Sequence, residues 1–542
     1  MEIIDSFSAS EIHSFSFNYF TSKTLQRPQQ IFHSLCTLFR WLHCFITLHS
    51  SHGFVAIPQN TRSYLRSYFT PAFYRSTLIM FRQFSLRMRP VITRYGKCGV
   101  AVIRVSGPEA SVALQKMTKM PNLKPREALL KKIYDPETKE FLDKGLCLWF
   151  PGPNSFTGED SAEFHVHGGL AVVMSLLNAL SKLRFQLAPP GEFTKRAFLN
   201  GKLDLTEAEG IGDLIEAETE KQRQQASNQA SGSLRHLYDS WRLTILNSLA
   251  NLEAYIDFSE EHSLESDILK DTKTVLQRLH LEIQQHLSDE RKGEILRTGI
   301  HVAILGEPNV GKSSILNLLS KKDAAIVTSS PGTTRDVIEL TANICGYPMI
   351  LADTAGIRVD PENEIEIEGI RRAKDYTKKA DLVMCVISAE KNFKSPFQEF
   401  LNEYKSFLEI QEERVLIILN KVDLLEEKEK EKWKKENVIA ISCKTQEGVE
   451  KLIHMLGKNF EEICGDPSEE NPVISHARYR NHLSHVIEYI QAYLKKVEVQ
   501  NYDIAISLQD IRGAARELGK ITGSISNEEI LDIIFKNFCV GK

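Results

Sequence analysis

His301-Val-Ala-Ile-Leu305-Gly306-Glu-Pro-Asn309-Val-Gly311-Lys312-Ser313-Ser314-Ile315 passes from a β-branched strand through a glycine-bounded loop into a helix. That is the setting in which a G-x-x-x-x-G-K-[ST] run binds a nucleotide. The glycines let backbone N–H groups wrap phosphate, Lys312 supplies a cation to the β/γ-phosphates, and Ser313 can hold Mg²⁺. Short apolar runs recur downstream at Met349–Ala352, Leu382–Ile387 and Val415–Leu419, spaced by loop or helical segments. The alternation predicts a doubly wound α/β domain on a buried, mostly parallel sheet.

The loop alone leaves ATP and GTP open. Asn420-Lys421-Val422-Asp423, directly after the last of those strands, decides for GTP. A carboxylate can accept from both N1–H and the exocyclic amine of guanine, a donor pair that adenine lacks there. Ser442-Cys443-Lys444 follows the strand-like Val438–Ile441 and completes a base pocket. Asp353-Thr354-Ala355-Gly356 ends another strand, where Asp353 can support Mg²⁺ through water and the Gly356 N–H can meet the γ-phosphate. Thr333-Thr334, in the loop between, suits a switch threonine on Mg²⁺. The nucleotide site is therefore expected to use Gly306, Asn309, Val310, Gly311, Lys312, Ser313 and Ser314 with these later elements. The residue after Gly356 is Ile357, where many GTPases place a water-orienting Gln. Water must be oriented from elsewhere, and Glu364, Glu366 and Glu368 are equal candidates on spacing.

Outside this domain the texture changes. Gly99–Ser106 alternates like a strand and opens an α+β stretch reaching about Ala188, closed by Pro189-Pro190-Gly191. Thr206-Glu-Ala-Glu209 has the form of a capping box, and helices are expected from there to about Arg297. Ile245, Leu249, Leu252 and Ile256 fall on one helix face, as do Leu276, Leu279, Ile283 and Leu287. Helical periodicity returns after Gly465-Asp-Pro467, with Leu483, Ile487, Ile490 and Leu494. Helical stretches thus bracket the α/β domain, which reads as an insertion into one helical domain. The expected division is 1–92 leader, 93–203 N-terminal module, 204–297 first helical part, 298–464 G domain and 465–542 second helical part.

Composition bounds the class. With 542 residues, 42% apolar and 25% charged, the chain has a multidomain globular balance. Its nine cysteines are scattered and never form C-x-x-C, which argues against a disulfide framework or zinc ribbon. No Asp or Glu occurs from His13 to Pro108, while Arg and Ser are frequent. That is the composition of a mitochondrial transit segment, with a basic arm as the plain alternative, and residues 1–79 are expected to be dispensable. The first 92 residues hold 9 Lys+Arg and 3 Asp+Glu, which leaves 58 against 68, or −10, for the body. An acidic body makes a poor autonomous nucleic-acid binder. His165-Val-His167 places two imidazoles on one strand face, but no spacing supplies the remaining zinc ligands.

Several further stretches resemble the MnmE family of potassium-activated GTPases, which take part in modifying the wobble uridine of tRNA, and its mitochondrial animal counterparts. They are Val102–Gly107, Trp149–Asp160, Pro190–Thr194 with Ala197–Lys202, and Phe538-Cys-Val-Gly-Lys542. The resemblance runs from about Gly99 to Lys542. It implies a folate-binding, dimerising N-terminal module, an all-α domain in two segments and an inserted α/β P-loop GTPase domain. By matching position, Arg104, Glu163, Lys202 and Lys542 surround 5-formyl- or 5,10-methylene-tetrahydrofolate. Asn309, Thr328, Ser330 and Thr333 match the potassium site, Ser313 and Thr334 the magnesium ligands, and Glu366 the acid that orients water. Cys539 matches a near-terminal cysteine proposed to assist the chemistry, with a plain tail thiol as the alternative. Implied partners are a second copy of the chain, an FAD-containing MnmG-type protein, and tRNA mainly through that complex, with no membrane. The expected place is the mitochondrial matrix and the expected amine is taurine. A rival from another class is a regulatory switch GTPase in mitochondrial ribosome assembly. One departure stands out: Met88–Gly99 replaces the family's D-T-I-x-A opening, so the first strand is expected to be absent or degraded.

Overall fold

The computed structural model describes residues 91–92 and 98–524, apart from 259–264, 323–338, 354–375, 391–414, 427–428, 431–432, 434–437, 469 and 499–502. All of these lie within the unit Arg87–Lys542.

Five antiparallel strands form the first sheet, in the order β1 (Val91–Ile92), β2 (Cys98–Ser106), β5 (Ser161–Gly168), β4 (Phe141–Phe150), β3 (Leu129–Tyr134). Alternation along β2 and β5 sends Ala101, Ile103, Val105, Ala162, Phe164 and Val166 into one core with the buried faces of α1 (Ala110–Thr118) and α2 (Leu170–Lys182). The residues between them, Arg104, Glu163 and His165, therefore share the opposite face. The first strand is not absent. A two-residue β1 pairs with β2, Val91 opposite Arg104, so the edge is shortened rather than missing.

A buried carboxylate pins the β3–β4 turn of this module. Asp135 accepts from Lys182 Nζ at 2.7 Å and from the Glu137 and Thr138 N–H groups at 2.9 Å. The Lys182 bond outweighs burial and, with those N–H groups, holds the carboxyl down to about 2. A depressed carboxyl contributes stability that is complete above its unfolded value of about 4 and is lost as pH falls towards 2. The protection of β3 and β4 amides, corrected for intrinsic exchange, should therefore fall between about pH 4 and 2, and Lys182→Met should flatten that dependence. An equally steep dependence in the mutant would remove Lys182 as its cause.

Short helices follow: α3 (Glu192–Leu199), α4 (Leu205–Glu216) and α5 (Glu220–Ala230). The capping box that opens α4 sits two residues earlier than the sequence suggests, with Asp204 as cap and Glu207 reaching back. Thr206 lies inside the helix and donates to Asp204, while Glu209 is released for another role. Its carboxylate accepts from Arg478 Nη2 at 2.7 Å and from the Tyr479 hydroxyl. The long helices α6 (Ser233–Phe258) and α7 (Glu265–Leu287), with α8 (Lys292–Thr298), complete the N-terminal helical part.

Helices α6 and α7 share one apolar core with α11 (Ala477–Val497) and α12 (Ile504–Thr522). Tyr238, Ile245, Leu252, Leu276 and Ile283 meet Tyr479, Leu483, Ile490, Ile511 and Leu518 there. Ile256, expected on the buried face of α6, is instead 36% exposed, because it lies in the last turn beyond the packed stretch. Arg478 adds a polar tie, donating to the Lys520 and Ile521 carbonyls that end α12.

Between these helical parts lies a six-stranded sheet: β11 (Ile439–Ala440), β10 (Val415–Asn420), β9 (Leu382–Ser388), β6 (Ile300–Leu305), β8 (Tyr347–Asp353), β7 (Glu339–Ile344). All neighbours are parallel except β7 and β8. Val302 and Ile304 enter one core with α9 (Lys312–Lys322) and α10 (Val449–Cys464), and Ala303 and Leu305 enter another with Tyr376, Ala380 and Val422, so both faces are covered. That explains the unbroken apolar runs. The β7 edge was not legible, because Glu339-Leu-Thr-Ala-Asn-Ile344 carries a mixed pattern.

Candidate functional site

The phosphate loop joins β6 to α9, at the carboxyl ends of the parallel strands. Gly306 takes φ +155° and a Cβ there would lie 2.4 Å from the Val386 carbonyl; Gly311 takes φ +100° and a Cβ would lie 2.2 Å from Asn420 Nδ2. Neither position admits a side chain, so both glycines are required by close approach as well as by backbone conformation. Asn309 adopts φ +66° and is exposed. Lys312 is only 8% exposed, and its Nζ donates to the Gly306 and Glu307 carbonyls at 3.0 Å each. The ammonium is thereby held beneath the loop. Ser313 and Ser314 are exposed in the first turn of α9, where N–H groups and the helix dipole favour an anion.

The base side is built by Asn420, which is 2% exposed. Its Nδ2 donates to the Val310 carbonyl at 2.9 Å and its Oδ1 accepts from the Cys443 N–H at 3.3 Å. One amide thus ties the phosphate loop to the Ser442–Lys444 segment. Asp423 stands in a single turn, Val422–Leu424, entered through Lys421 at φ +67°. Ser442 Oγ donates to Asp423 Oδ1 at 2.6 Å, and the Thr445 N–H donates to Ser442 Oγ at 3.2 Å. The Ser442 bond holds the Asp423 carboxyl below the usual carboxylate range, so it is a charged acceptor at neutral pH. Lys421 Nζ reaches Glu390 at 2.6 Å, Cys443 is half-buried and Lys444 is exposed.

Sequence reasoning missed Glu390, since Ser388-Ala-Glu390 at a strand end gives no motif. The described site includes the backbone of Asp353 as the last residue of β8. Thr328, Ser330, Thr333, Thr334, Thr354, Ala355, Gly356, Glu364, Glu366, Glu368, Cys539 and Lys542 lie outside the described residues.

A second constellation occupies the N-terminal module. Arg104 and Glu163 are cross-strand partners, with Nε to Oε1 at 2.8 Å. The other oxygen of Glu163 meets His165 Nε2 at 3.0 Å. Phe156 and Phe193 lie with ring centroids 5.7 and 5.8 Å from the Arg104 guanidinium carbon. Lys202 is exposed and packs its stem beside Gly158, in the loop that carries Phe156. Arg104 and Glu163 are thus in direct contact, and Lys202 stands on a neighbouring segment. A cationic donor, a carboxylate acceptor and two aromatic rings are groups that suit a pterin with an anionic tail.

His167 pairs separately with Asp143, Nδ1 to Oδ1 at 2.8 Å, so the two histidines do not share a ligand. Among the described residues, the group close enough to hold a metal is His482, His485 and Glu517. There the Lys520 ammonium lies 2.7 Å from Glu517, an ion-paired helix contact.

A parallel sheet carrying G-x-x-x-x-G-K-S after one strand and N-K-x-D after another is the framework of a P-loop GTPase. The family follows from comparison with known proteins. The family model "MnmE helical domain" matches residues 205–539, and "GTP-binding protein TrmE N-terminus" matches 88–202. The mitochondrial 5-taurinomethyluridine-[tRNA] synthase subunit GTPB3 of Danio rerio is 45% identical over 462 residues, 82% of this chain and 91% of that protein. The human protein of the same description is 43% identical over 455 residues, again 82% and 91%. The tRNA modification GTPase MnmE of Rickettsia bellii is 44% identical, covering 83% and 98%. This chain belongs to the MnmE family of tRNA modification GTPases. Among the described residues, no helix is long and apolar enough to cross a membrane.

Proposed function

We propose that this chain is the GTPase subunit of a mitochondrial complex that modifies C5 of the tRNA wobble uridine. It acts with an MnmG-type FAD-containing partner and draws a one-carbon unit from a tetrahydrofolate; taurine is the amine. The observation that carries the reading is the presence, in one chain, of the Asn420–Asp423 base pocket and the Arg104–Glu163 pair between Phe156 and Phe193. Copies pair through the N-terminal module, and the G domain is inserted between the two helical parts. The Arg-rich, acid-poor leader and the mitochondrial relatives support the matrix as its place.

In the reaction, Lys312 holds the β/γ-phosphates, Asn309 would help to hold the cation that supplies countercharge to them, and Asp423 fixes the base. Glu366 orients the attacking water, a role left open by Ile357. Magnesium held by Ser313 and Thr334, and potassium held by Asn309, Thr328, Ser330 and Thr333, would supply countercharge to the phosphates. Arg104, Lys202 and Lys542 bind the folate tail and Glu163 its amino-pyrimidine. Cys539 assists transfer to the uridine.

GTP hydrolysis should be faster in potassium than in sodium, by the order of an arginine finger, about a thousandfold or more. Asn309→Ala should erase the difference. Equal wild-type rates in the two salts would remove potassium from the account. Ribosome assembly has no use for the N-terminal pair, so equilibrium dialysis against 5-formyltetrahydrofolate separates the readings: binding is expected, and its absence would favour the switch GTPase.

A further inference from the structure

We infer that Arg196 is a positioning residue of the one-carbon-donor pocket, tying together the segments that carry Arg104, Phe156 and Phe193. The inference rests on the folate reading above. Arg196 lies on α3, three residues after Phe193, and its side chain is 7% exposed. Nη1 donates to Glu159 Oε2 at 2.9 Å, while Nε and Nη2 donate to Glu192 Oε1 at 3.0 and 2.8 Å.

Glu159 belongs to the loop 151–160 that carries Phe156. Its same oxygen accepts from Ser106 Oγ at 2.9 Å, two residues beyond Arg104 on β2. Ser106 also shares a 2.6 Å hydrogen bond with Thr157. From the other side, Asn200 Nδ2 donates to the Thr157 carbonyl at 2.6 Å, just before Lys202. The buried guanidinium thus links the loop to α3, and the Glu159 oxygen that it holds carries the tie on to Ser106 of β2.

The residue type follows from the task. Two carboxylates from different segments need several donors in a fixed planar arrangement, which Arg has and Lys lacks. A buried guanidinium is in turn tolerated only because both carboxylates meet it. Arg196 acts on the ligand through the two rings that stand over Arg104. Loosening the loop misplaces Phe156, and misplacing a pocket group by about 1 Å is enough to cost substantial affinity or rate.

The test uses the full chain with Arg196→Gln, Arg196→Lys and Glu159→Gln. Dialysis should show 5-formyltetrahydrofolate bound about tenfold or more weakly by Arg196→Gln and Glu159→Gln, with Arg196→Lys intermediate. GTP hydrolysis in potassium should stay at the wild-type rate, and hydrogen exchange over residues 151–160 should accelerate. In tRNA modification, KM for the folate donor should rise while kcat at saturation holds, a split that general destabilisation does not produce. Should the Arg196 variants not fold, Glu159→Gln carries the same expectation. Folded variants that bind folate as wild type does overturn the inference alone. A wild-type chain that binds no folate overturns the pocket reading beneath it.

Discussion

Asp423→Asn is expected to weaken GTP binding by about 10²–10⁴, because two hydrogen bonds to a charged acceptor contribute about 1.5–3 kcal/mol each. The amide keeps an oxygen for the Ser442 hydroxyl, so the turn at Val422–Leu424 should survive and the loss should be confined to the base. It also places an N–H₂ donor where guanine presents donors, whereas xanthine offers a carbonyl there. Preference should therefore move towards xanthosine nucleotides. Competition binding with GTP and xanthosine triphosphate reads both effects. Undiminished GTP affinity in the mutant would mean that Asp423 does not read the base.

Glu366→Ala should leave GTP binding intact and slow hydrolysis by about 10²–10⁴, the usual contribution of a group that positions or deprotonates a nucleophile. Binding survives because Lys312, held by the Gly306 and Glu307 carbonyls, and Asp423, held by Ser442, do not depend on that carboxylate. If hydrolysis drives the modification cycle, the mutant should fail to modify tRNA as well, although Arg104 and Glu163 lie in another sheet. Single-turnover hydrolysis alongside nucleotide binding separates the two steps. Normal modification with hydrolysis abolished would mean that GTP binding alone suffices.

Much of this architecture was legible from the chain. The strands of the parallel sheet read as apolar runs because both of their faces are buried, and the motif glycines marked turns that admit no Cβ. The two-part helical core was legible from i, i+3, i+4 spacing, up to Ile256 in the last turn of its helix. What stayed hidden depends on partners distant in sequence. Glu209 reads as a capping residue until Arg478 and Tyr479 arrive from 269 and 270 residues away. Arg196 belongs to no motif in the sequence, and its role appears only where Glu159 of the distant loop meets its guanidinium. Asn420 was legible as part of a guanine motif, but its bond to the Val310 carbonyl, which makes the two halves of the site one unit, is visible only in three dimensions.

The most direct test of the central claim is mass spectrometry of mitochondrial tRNA nucleosides from cells lacking this protein, with the wild-type chain or Glu366→Ala restored. The account predicts that the taurinomethyl form of the wobble uridine disappears without the protein and returns only with the wild-type chain. An unchanged level of that nucleoside in the deficient cells would contradict it.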